Sequence, residues 1–256
     1  MTPRPALGRL LRRRGRSAPT PLAEDAGGRL DPADEELLRE VRPHTMTSPL
    51  RVEALLAAVR HVVARDVPGA FVECGVWRGG SVLAMVRQLQ RLGRHDRDLF
   101  LYDTFEGMTE PPEHDTSAFD PPAREVWEGA AAAQERPWAG LFDHEVFNEH
   151  QVGELLRATG YPDERLHLVK GPVETTLPDH APAELAILRL DTDWYESTLH
   201  ELVHLYPRLS PGGVLIIDDY GHWDGCRRAV DEYFSTQAAP VLLQRVDYTG
   251  RLAVKW

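Results

Sequence analysis

The sequence predicts an α/β fold with a doubly wound, mostly parallel sheet. Short apolar runs, too short for helical periodicity, alternate along the chain with segments whose apolar residues recur every three or four positions. Two later runs, Glu184–Asp191 and Gly213–Asp219, enclose one helical segment. Such a β-α-β unit places its two strands parallel. Two further runs near the end of the chain predict an antiparallel edge to the sheet.

The part of the chain before the first strand is predicted to be helical. Residues 1–30 are rich in Arg, Pro, Gly and Ala, and we expect a disordered basic leader. Asp31 followed by Pro32 is typical of a helix start and predicts a helix over Asp31–Val41. A second helix is predicted from Pro49, where apolar residues recur at helical spacing. We expect residues 31–256 to form a single domain whose N-terminal part is 31–68.

Seven strands are predicted in the rest of the chain. Ala70–Cys74 is the first, and a helix with apolar residues from Val82 to Leu92 follows it. Leu99–Asp103 is the second strand. The others are predicted at Arg165–Gly171, Glu184–Asp191, Gly213–Asp219, Val241–Val246 and Arg251–Trp256, with helices over Ser197–Leu209 and Cys226–Phe234. The Pro-Gly-Gly after Leu209 is expected to end the first of these two helices.

A long segment, Glu106–His150, separates the second strand from the third. It contains two Pro-Pro pairs, many acidic residues and a run of alanines that favours a helix. Loops longer than about 15 residues inside a compact domain are usually functional or disordered. We therefore expect a lid insertion over an active site, with an inert surface insertion as the alternative.

Charge and composition exclude several classes of function. The chain carries 29 basic and 40 acidic residues, and six of its arginines lie in the first sixteen positions, so the body repels phosphate polymers and no nucleic acid is expected. The chain has no run of eighteen apolar residues and no secretory apolar segment, so no membrane partner is expected. Cys74 and Cys226 are far apart and in no metal-ligand spacing, which indicates a reduced, cytoplasmic setting.

Paired carboxylates follow two of the predicted buried strands. Asp191 and Asp193 come at the end of one, and Asp218 and Asp219 at the end of the other. The carboxyl ends of neighbouring strands form the ligand-binding edge of an open α/β sheet, so these side chains are expected to converge. Clustered carboxylates repel each other unless a cation lies among them, and oxygen ligands suit Mg²⁺. The sequence therefore predicts a magnesium site.

The turn after the first strand predicts a nucleoside cofactor that lacks phosphate. Three glycines within Phe71–Ser81 allow a ligand to approach the backbone and the following helix terminus closely. Trp77 stands where a dinucleotide fingerprint needs its second glycine, which argues against NAD. Glu73 suits an ammonium group, and Asp103 at the end of strand two suits a ribose diol. S-adenosylmethionine combines both groups; the alternative is that these two acids are merely polar strand ends.

Four stretches in order resemble one protein family. They read F-V-E-C-G-V-W-R-G-G-S, Y-D-T-F-E-G-M, L-R-L-D-T-D-W-Y-E-S-T and P-G-G-V-L-I-I-D-D-Y. From about Thr45 to the C-terminus the chain resembles the macrocin-type (TylF/MycF/NovP-like) O-methyltransferases. The resemblance implies a class I methyltransferase, Rossmann-like fold and dependence on Mg²⁺. It also implies methylation of a deoxysugar hydroxyl on a macrolide, aminocoumarin or similar glycoside in antibiotic or other secondary-metabolite biosynthesis.

The same resemblance implies roles for particular residues. The metal ligands would be Asp191, Asp218 and Asp219, and the stretch from His44 to Ser48 resembles a segment that closes over the cofactor. The residues expected to contact S-adenosylmethionine are Met46, Thr47, Glu73, Gly75, Val76, Trp77, Ser81, Asp103, Thr104 and Gly171. The insertion and the N-terminal helices suggest contact with another subunit, so a homo-oligomer, dimer or higher, is expected.

The general base is predicted among the acids near the metal. Catechol-type methyltransferases carry a lysine three residues after the first metal aspartate, and here that position is Trp194. Asp193 is the candidate, because strand alternation places it on the same side as Asp191 if the backbone stays extended. Asp191 itself is an alternative, and Asp193 is otherwise a helix N-cap. Further alternatives are His114, His144 and His222.

Three other functions stay open at this level. A metal-dependent methyltransferase acting on a catechol or another phenol would use the same motifs. A non-enzymatic binding module on the same fold would have the carboxylates as surface acids and no affinity for S-adenosylmethionine. A metal-dependent hydrolase would use the aspartates but would give the glycine-containing turn no ligand to bind.

Overall fold

The computed structural model describes residues 31–113, 115–143, 145, 147–237 and 240–256. The predicted leader, residues 1–30, and two of the candidate histidines, His114 and His144, lie outside the described residues. The α-helices of the described part are α1 (Pro32–Val41), α2 (Pro49–Ala64), α3 (Gly80–Arg91), α4 (Ala123–Ala132), α5 (Glu149–Arg157), α6 (Val173–Thr176), α7 (Tyr195–Leu205) and α8 (Asp224–Ser235). Among them, none has the length and apolar character needed to cross a membrane.

Seven strands form one mixed sheet. They are β1 (Ala70–Cys74), β2 (Leu99–Asp103), β3 (Leu166–Lys170), β4 (Leu185–Leu190), β5 (Leu209–Ile217), β6 (Gln244–Arg245) and β7 (Arg251–Val254). Their order across the sheet is β3-β2-β1-β4-β5-β7-β6. The first five strands pair in parallel, whereas β7 runs antiparallel to both β5 and β6. This confirms the predicted doubly wound sheet with an antiparallel edge.

The structure places the Pro-Gly-Gly tripeptide in a strand, which corrects the predicted end of a helix. We expected it to end a helix running to Leu209, but α7 ends at Leu205 and β5 begins at Leu209. The tripeptide lies inside β5, where the pairing register with β4 shifts, and Gly212 has a φ of 82°. A left-handed backbone inside a strand favours glycine and is typical of a bulge. The three residues therefore bend a strand and do not stop a helix.

An apolar layer of helices packs against each face of the sheet. Successive strand residues point to opposite faces, and accordingly Phe71 belongs to the core that contains α2 and α3. The next residue, Val72, belongs to the core that contains α7 and α8. Both faces of the central strands are buried, which explains their nearly continuous apolar sequences.

The carboxyl ends of β1, β4 and β5 are aligned at one edge of the sheet. The register pairs Glu73 with Arg189 and Arg189 with Ile216 across these three strands. Just beyond, the Asp191 N–H donates to the Cys74 carbonyl at 2.9 Å. The two acidic pairs follow β4 and β5 directly, and the alignment brings them to the same place.

Candidate active site

A cavity of about 430 Å³ opens at this edge of the sheet. All of the residues predicted for cofactor, metal and base line it. They are Met46, Thr47, Glu73, Gly75, Val76, Trp77, Ser81, Asp103, Thr104, Gly171, Asp191, Asp193, Asp218 and Asp219. The structure thus brings residues from six separate stretches of the chain to one cavity, and their individual roles stay predictions.

Three aspartates converge at the bottom of the acidic edge. Asp191, Asp218 and Asp219 each present one carboxylate oxygen, and these oxygens lie within 4.8 Å of one another. Burial raises the pKa of Asp219 well above its usual range, and the charges of Asp193 and Asp191 raise it further. A divalent cation among the oxygens would relieve this repulsion, and carboxylates are ligands that Mg²⁺ prefers. The donor set therefore suits the predicted ion.

Asp193 lies beside this cluster on a left-handed backbone. Its φ is 69°, and its N–H donates to Asp219 Oδ2 at 3.3 Å. Strand β4 ends at Leu190, so the extended backbone that we required does not continue to Asp193. The residue reaches the cavity through the turn instead. Burial, followed by the charge of Asp191, raises the pKa of the Asp193 carboxyl to about 8.

Asp193 is not the N-cap residue of α7, which was its alternative role. The residue that precedes α7 is Trp194, whose side chain makes no capping hydrogen bond. The first N–H of the helix, that of Tyr195, donates to Asp115 Oδ2 at 3.0 Å. Asp115 comes from the insertion, so the insertion satisfies the start of α7 and Asp193 faces the cavity.

A buried arginine, Arg189, lies behind the acids and was not among the predicted site residues. Its side chain is only 2% exposed. It donates to Glu73 Oε1 at 2.5 Å, to Asp191 Oδ2 at 2.7 Å and to Asp218 Oδ1 at 2.7 Å. A signal was present in the sequence, because a charged residue interrupts the apolar run L-A-I-L-R-L. A charge in a buried strand needs partners, which points to nearby acids.

Glu73 has one oxygen that Arg189 does not use. Its Oε2 atom is buried and has no hydrogen-bond partner among the described residues. Burial raises the pKa of Glu73 to about 8, although Arg189 opposes this shift. A buried acceptor without a donor is rare in folded proteins. An ammonium group entering the cavity would supply that donor.

Negative charge exceeds positive charge in the cluster. Asp218 pairs with Arg51 as well as with Arg189, and Arg51 Nε lies 3.0 Å from Asp247 Oδ2. Arg189 pairs with Glu73, Asp191 and Asp218, so several carboxylates share each of these two cations. The excess of negative charge is greatest around Asp219, where burial and three neighbouring aspartates raise its pKa. The hydrogen bond described for its Oδ2 comes from the backbone N–H of Asp193.

Asp103 holds the glycine-containing turn. Its Oδ2 accepts hydrogen bonds from the N–H groups of Val76 and Trp77 at 2.7 and 2.9 Å, and its Oδ1 accepts from Phe105 N–H at 2.7 Å. Burial raises the pKa of Asp103, while these N–H groups act in the opposite direction. Each carboxylate oxygen has two lone pairs, and those of Oδ2 are used by Val76 and Trp77. Oδ1 accepts one short hydrogen bond, from Phe105, and so keeps the capacity to accept a ribose hydroxyl.

Glycine is required in this turn by the chain itself. A Cβ atom at position 75 would lie 1.8 Å from the carbonyl oxygen of Asp191. At position 80 it would lie 2.5 Å from the carbonyl oxygen of His44. We predicted that these glycines admit a ligand, and the structure adds a second reason. They let the end of β4 and the segment before α2 pack directly on the turn.

The insertion forms one wall of the cavity. Its lining residues are Gly107, Met108, Thr109, Asp120, Trp138, Leu141 and Phe142. The Trp77 indole N–H donates to the Leu141 carbonyl at 2.9 Å, which ties the wall to the turn after β1. His222 Nε2 lies 2.7 Å from Asp120 Oδ2, a second contact between the insertion and the rest of the domain. The position of the insertion beside the cavity supports the prediction of a lid. That the insertion opens and closes stays a prediction.

Asp115 anchors the insertion between two helix starts. It is buried and accepts the Tyr195 N–H, as described above. Its Oδ1 atom lies where Gly225, in the first turn of α8, leaves room: an added Cβ would be 1.2 Å away. The contact therefore requires glycine at position 225.

We expect Gly225→Ala to lower the free energy of unfolding by about 2 kcal/mol, because the methyl group displaces the Asp115 carboxylate. Urea unfolding followed by circular dichroism measures it. Gly129→Ala in α4 is the matched control, since nothing lies within 4 Å of a Cβ there. That helical substitution is expected to be neutral or to stabilise by up to about 1 kcal/mol. Equal stabilities of the two variants would contradict the anchor.

A further acid, Glu201 of α7, lies beneath the turn that carries Asp191 and Asp193. It is fully buried, and its Oε1 accepts the Thr192 hydroxyl at 2.9 Å. Burial raises its pKa well above the ordinary value of 4.5. The raised pKa favours the neutral acid in the folded protein, and in that form Glu201 supports the turn through the Thr192 hydroxyl.

The raised pKa of Glu201 predicts a pH-dependent stability. A pKa raised by folding gives stability that is complete below the unfolded pKa and is lost as the pH rises toward the folded pKa. In Glu201→Gln, a neutral amide of the same shape, the decline in unfolding free energy from pH 5 to 9 should be shallower by up to about 1.4 kcal/mol per pH unit. Urea unfolding at pH 5, 7 and 9 tests this, and parallel curves would argue against it.

The sheet order and the acidic carboxyl edge define a class I O-methyltransferase fold. The chain superposes on the structure of the O-methyltransferase NovP with a TM-score of 0.69 and 32% sequence identity, covering 83% of this chain and 82% of that one. Residues 23–255 match the macrocin-O-methyltransferase (TylF) family. The chain belongs to this family, and it is an O-methyltransferase.

Two curated relatives are similar over most of their length. The 8-demethyl-8-(2,3-dimethoxy-alpha-L-rhamnosyl)-tetracenomycin-C 4'-O-methyltransferase of Streptomyces olivaceus is 37% identical over 224 residues, 85% of this chain and 79% of the relative. The demethyldecarbamoylnovobiocin O-methyltransferase of Streptomyces niveus is 34% identical over 190 residues, 74% of this chain and 67% of the relative. Both relatives are named as enzymes, which removes the alternative of a non-enzymatic binding module.

Proposed function

We propose that this enzyme transfers a methyl group from S-adenosylmethionine to a deoxysugar hydroxyl of a natural-product glycoside, with Mg²⁺, in the biosynthesis of an antibiotic or other secondary metabolite. The observation that carries the proposal is the single cavity in which Glu73, the aspartate cluster and the insertion meet. The curated relatives support the acceptor class, since one is named for a rhamnosyl-tetracenomycin and the other for demethyldecarbamoylnovobiocin.

The donor side of the proposal uses the turn after β1. Glu73 Oε2 is the acceptor for the amino group of S-adenosylmethionine, because it is buried and has no hydrogen-bond partner among the described residues. Asp103, at the end of the next strand, accepts a ribose hydroxyl through Oδ1. Met46 and Thr47 cover the donor from the segment before α2. These contacts orient the sulfonium and exclude water, which an in-line methyl transfer requires.

The acceptor side uses the acids after β4 and β5. Asp191, Asp218 and Asp219 would hold the ion, which when bound lowers the pKa of a sugar hydroxyl and orients it. Asp193 accepts the proton as the new carbon–oxygen bond forms, since a sugar hydroxyl is a poor nucleophile at neutral pH. Its raised pKa gives it the basicity that this role needs.

The charge of the cavity supports a neutral acceptor. Acidic residues dominate the described lining, and its arginine, Arg51, is already paired with two aspartates. An acceptor carrying phosphate would meet repulsion there. Three of the indole rings that line the cavity lie close together, with centroids 6.2 Å apart for Trp138 and Trp194 and 5.0 Å for Trp194 and Trp223. Such rings stack on the apolar face of a sugar.

These indole rings also favour a second candidate, a catechol or another phenol. Methyl transfer from labelled S-adenosylmethionine to glycosides, nucleotide-activated sugars and catechol, each with Mg²⁺ or with a chelator, separates the candidates. We expect transfer to the sugar of a neutral glycoside and its loss with chelator. Transfer to catechol alone would favour the phenolic acceptor, and chelator-resistant transfer would contradict the role of the ion. Gel filtration with light scattering tests the expected homo-oligomer.

A further inference from the structure

Arg189 lies between the donor half and the acid half of the cavity. It is on β4 and pairs in register with Glu73 on β1. On the donor side its guanidinium contacts Glu73 and also the Thr47 hydroxyl, at 3.0 Å from Nη2. On the other side it contacts Asp191 and Asp218. One buried group therefore touches both halves.

The shape of the guanidinium explains why arginine occupies this place. Its planar fork offers five N–H donors in fixed directions, whereas a lysine offers one compact charge. Nη1 bonds Glu73 and Asp191, and Nη2 bonds Asp218 and Thr47. Lysine at this position would keep the charge but could not reach four partners in these directions.

The contacts also determine which oxygen of each carboxylate is engaged. Arg189 takes Oε1 of Glu73 and leaves Oε2, the buried oxygen without a partner. It takes Oδ2 of Asp191 and Oδ1 of Asp218. Arg189, which does not itself line the cavity, therefore fixes one oxygen of each acid, while Arg51 holds the other oxygen of Asp218.

We propose that Arg189 is a positioning residue shared by the donor site and the metal site. It orients Glu73 for the amino group of S-adenosylmethionine, and it orients Asp191 and Asp218 for the divalent ion. The inference rests on the proposed function, because it assigns these ligands to the two halves. It predicts that loss of the guanidinium fork weakens the binding of two separate ligands, the methyl donor and the divalent ion. Each affinity is measured in the absence of the other ligand.

The test is Arg189→Lys in the full chain, at a temperature where circular dichroism shows it folded. Calorimetry with S-adenosylhomocysteine and electron paramagnetic resonance with Mn²⁺ give the two affinities. We expect each to fall at least about tenfold, as for residues that orient ligating side chains. Arg97→Lys is the matched control: this buried arginine donates to the Gly69 carbonyl at 2.7 Å, at the other end of the sheet, and both affinities should be unchanged.

Thr47→Val provides a second variant that keeps the fold if Arg189→Lys does not. Valine removes the hydroxyl bound to Nη2, and Thr47→Ser keeps it. Because the Thr47 hydroxyl reaches Asp218 through Arg189, Thr47→Val should weaken Mn²⁺ binding about threefold, and Thr47→Ser should not. Serine restoring the affinity is a result that loss of packing alone would not produce.

The outcomes separate this inference from the proposed function. Wild-type protein that binds no S-adenosylhomocysteine would overturn the proposed function itself. If the wild type binds both ligands and Arg189→Lys leaves both affinities unchanged, only the positioning role is overturned. The same holds if the lysine variant is unfolded and Thr47→Val leaves the Mn²⁺ affinity unchanged. Loss of one ligand with the other unchanged would show that Arg189 serves a single site and would overturn the shared role.

Discussion

Asp219→Asn is expected to lower Mg²⁺-dependent methyl transfer sharply and to leave the protein at least as stable as the wild type. Asp219 is buried among Asp191, Asp193 and Asp218, and their charges together with burial hold its pKa well above the usual range. Asparagine removes one repelling charge and should raise the free energy of unfolding by about 1 kcal/mol. Loss of one ligand from the metal site should lower kcat by about a thousandfold.

Asp218→Asn is the matched comparison, because it is adjacent and has the same side chain. Asp218 pairs with Arg189 and Arg51, so its replacement leaves the buried Arg189 and the partly buried Arg51 each short of a partner. It should lose activity similarly, but its free energy of unfolding should fall by about 3 kcal/mol. Urea unfolding and steady-state kinetics with and without Mg²⁺ measure both effects. A destabilised Asp219→Asn, or stability changes of the same sign, would refute this account.

Asp193→Asn is expected to lower kcat by about a thousandfold while both ligands still bind. General-base catalysis contributes about 10²- to 10⁴-fold. Asparagine keeps the shape of the side chain, and among non-glycine residues it tolerates the positive φ of this position well. The backbone N–H that donates to Asp219 is unchanged. The variant therefore removes the base and keeps the backbone conformation of the turn.

The controls for this prediction are binding and pH dependence. S-adenosylhomocysteine and Mn²⁺ should bind Asp193→Asn with wild-type affinity, whereas Asp191→Asn should lose Mn²⁺. The wild-type kcat should rise with pH until the base is deprotonated, and Asp193→Asn should lose that rise. If Asp193→Asn keeps near wild-type kcat, Asp191 or another group takes the proton.

The strands were predictable because buried parallel strands have a plain sequence signature. Ala70–Cys74 and Leu99–Asp103 were located to the residue, since each is an apolar run that ends at a turn or an acid. The Pro-Gly-Gly tripeptide was misread because glycine and proline mark a helix end and a strand bulge equally well. Only the pairing of β5 with β4 distinguishes the two, and that pairing is not local.

The glycines of the turn after β1 have two possible reasons: close approach of a ligand and close packing of the chain itself. Sequence reasoning attributed its glycines to ligand approach. The structure shows Gly75 packed against Asp191, more than a hundred positions away in the chain. A local pattern reveals that side chains are excluded, but the neighbour that excludes them is known only when the strands are aligned.

The sequence by itself determined the sheet class, the family and the residue types that gather at its carboxyl edge, because these depend on local pattern and motif order. Only the tertiary structure decided how their charges are balanced. Asp218 and Asp219 are neighbours of the same type, yet one meets two guanidinium groups and the other meets carboxylates. Those guanidinium groups come from positions 29 and 167 residues away. Electrostatic partnership depends on distance in space, and folding alone sets that distance.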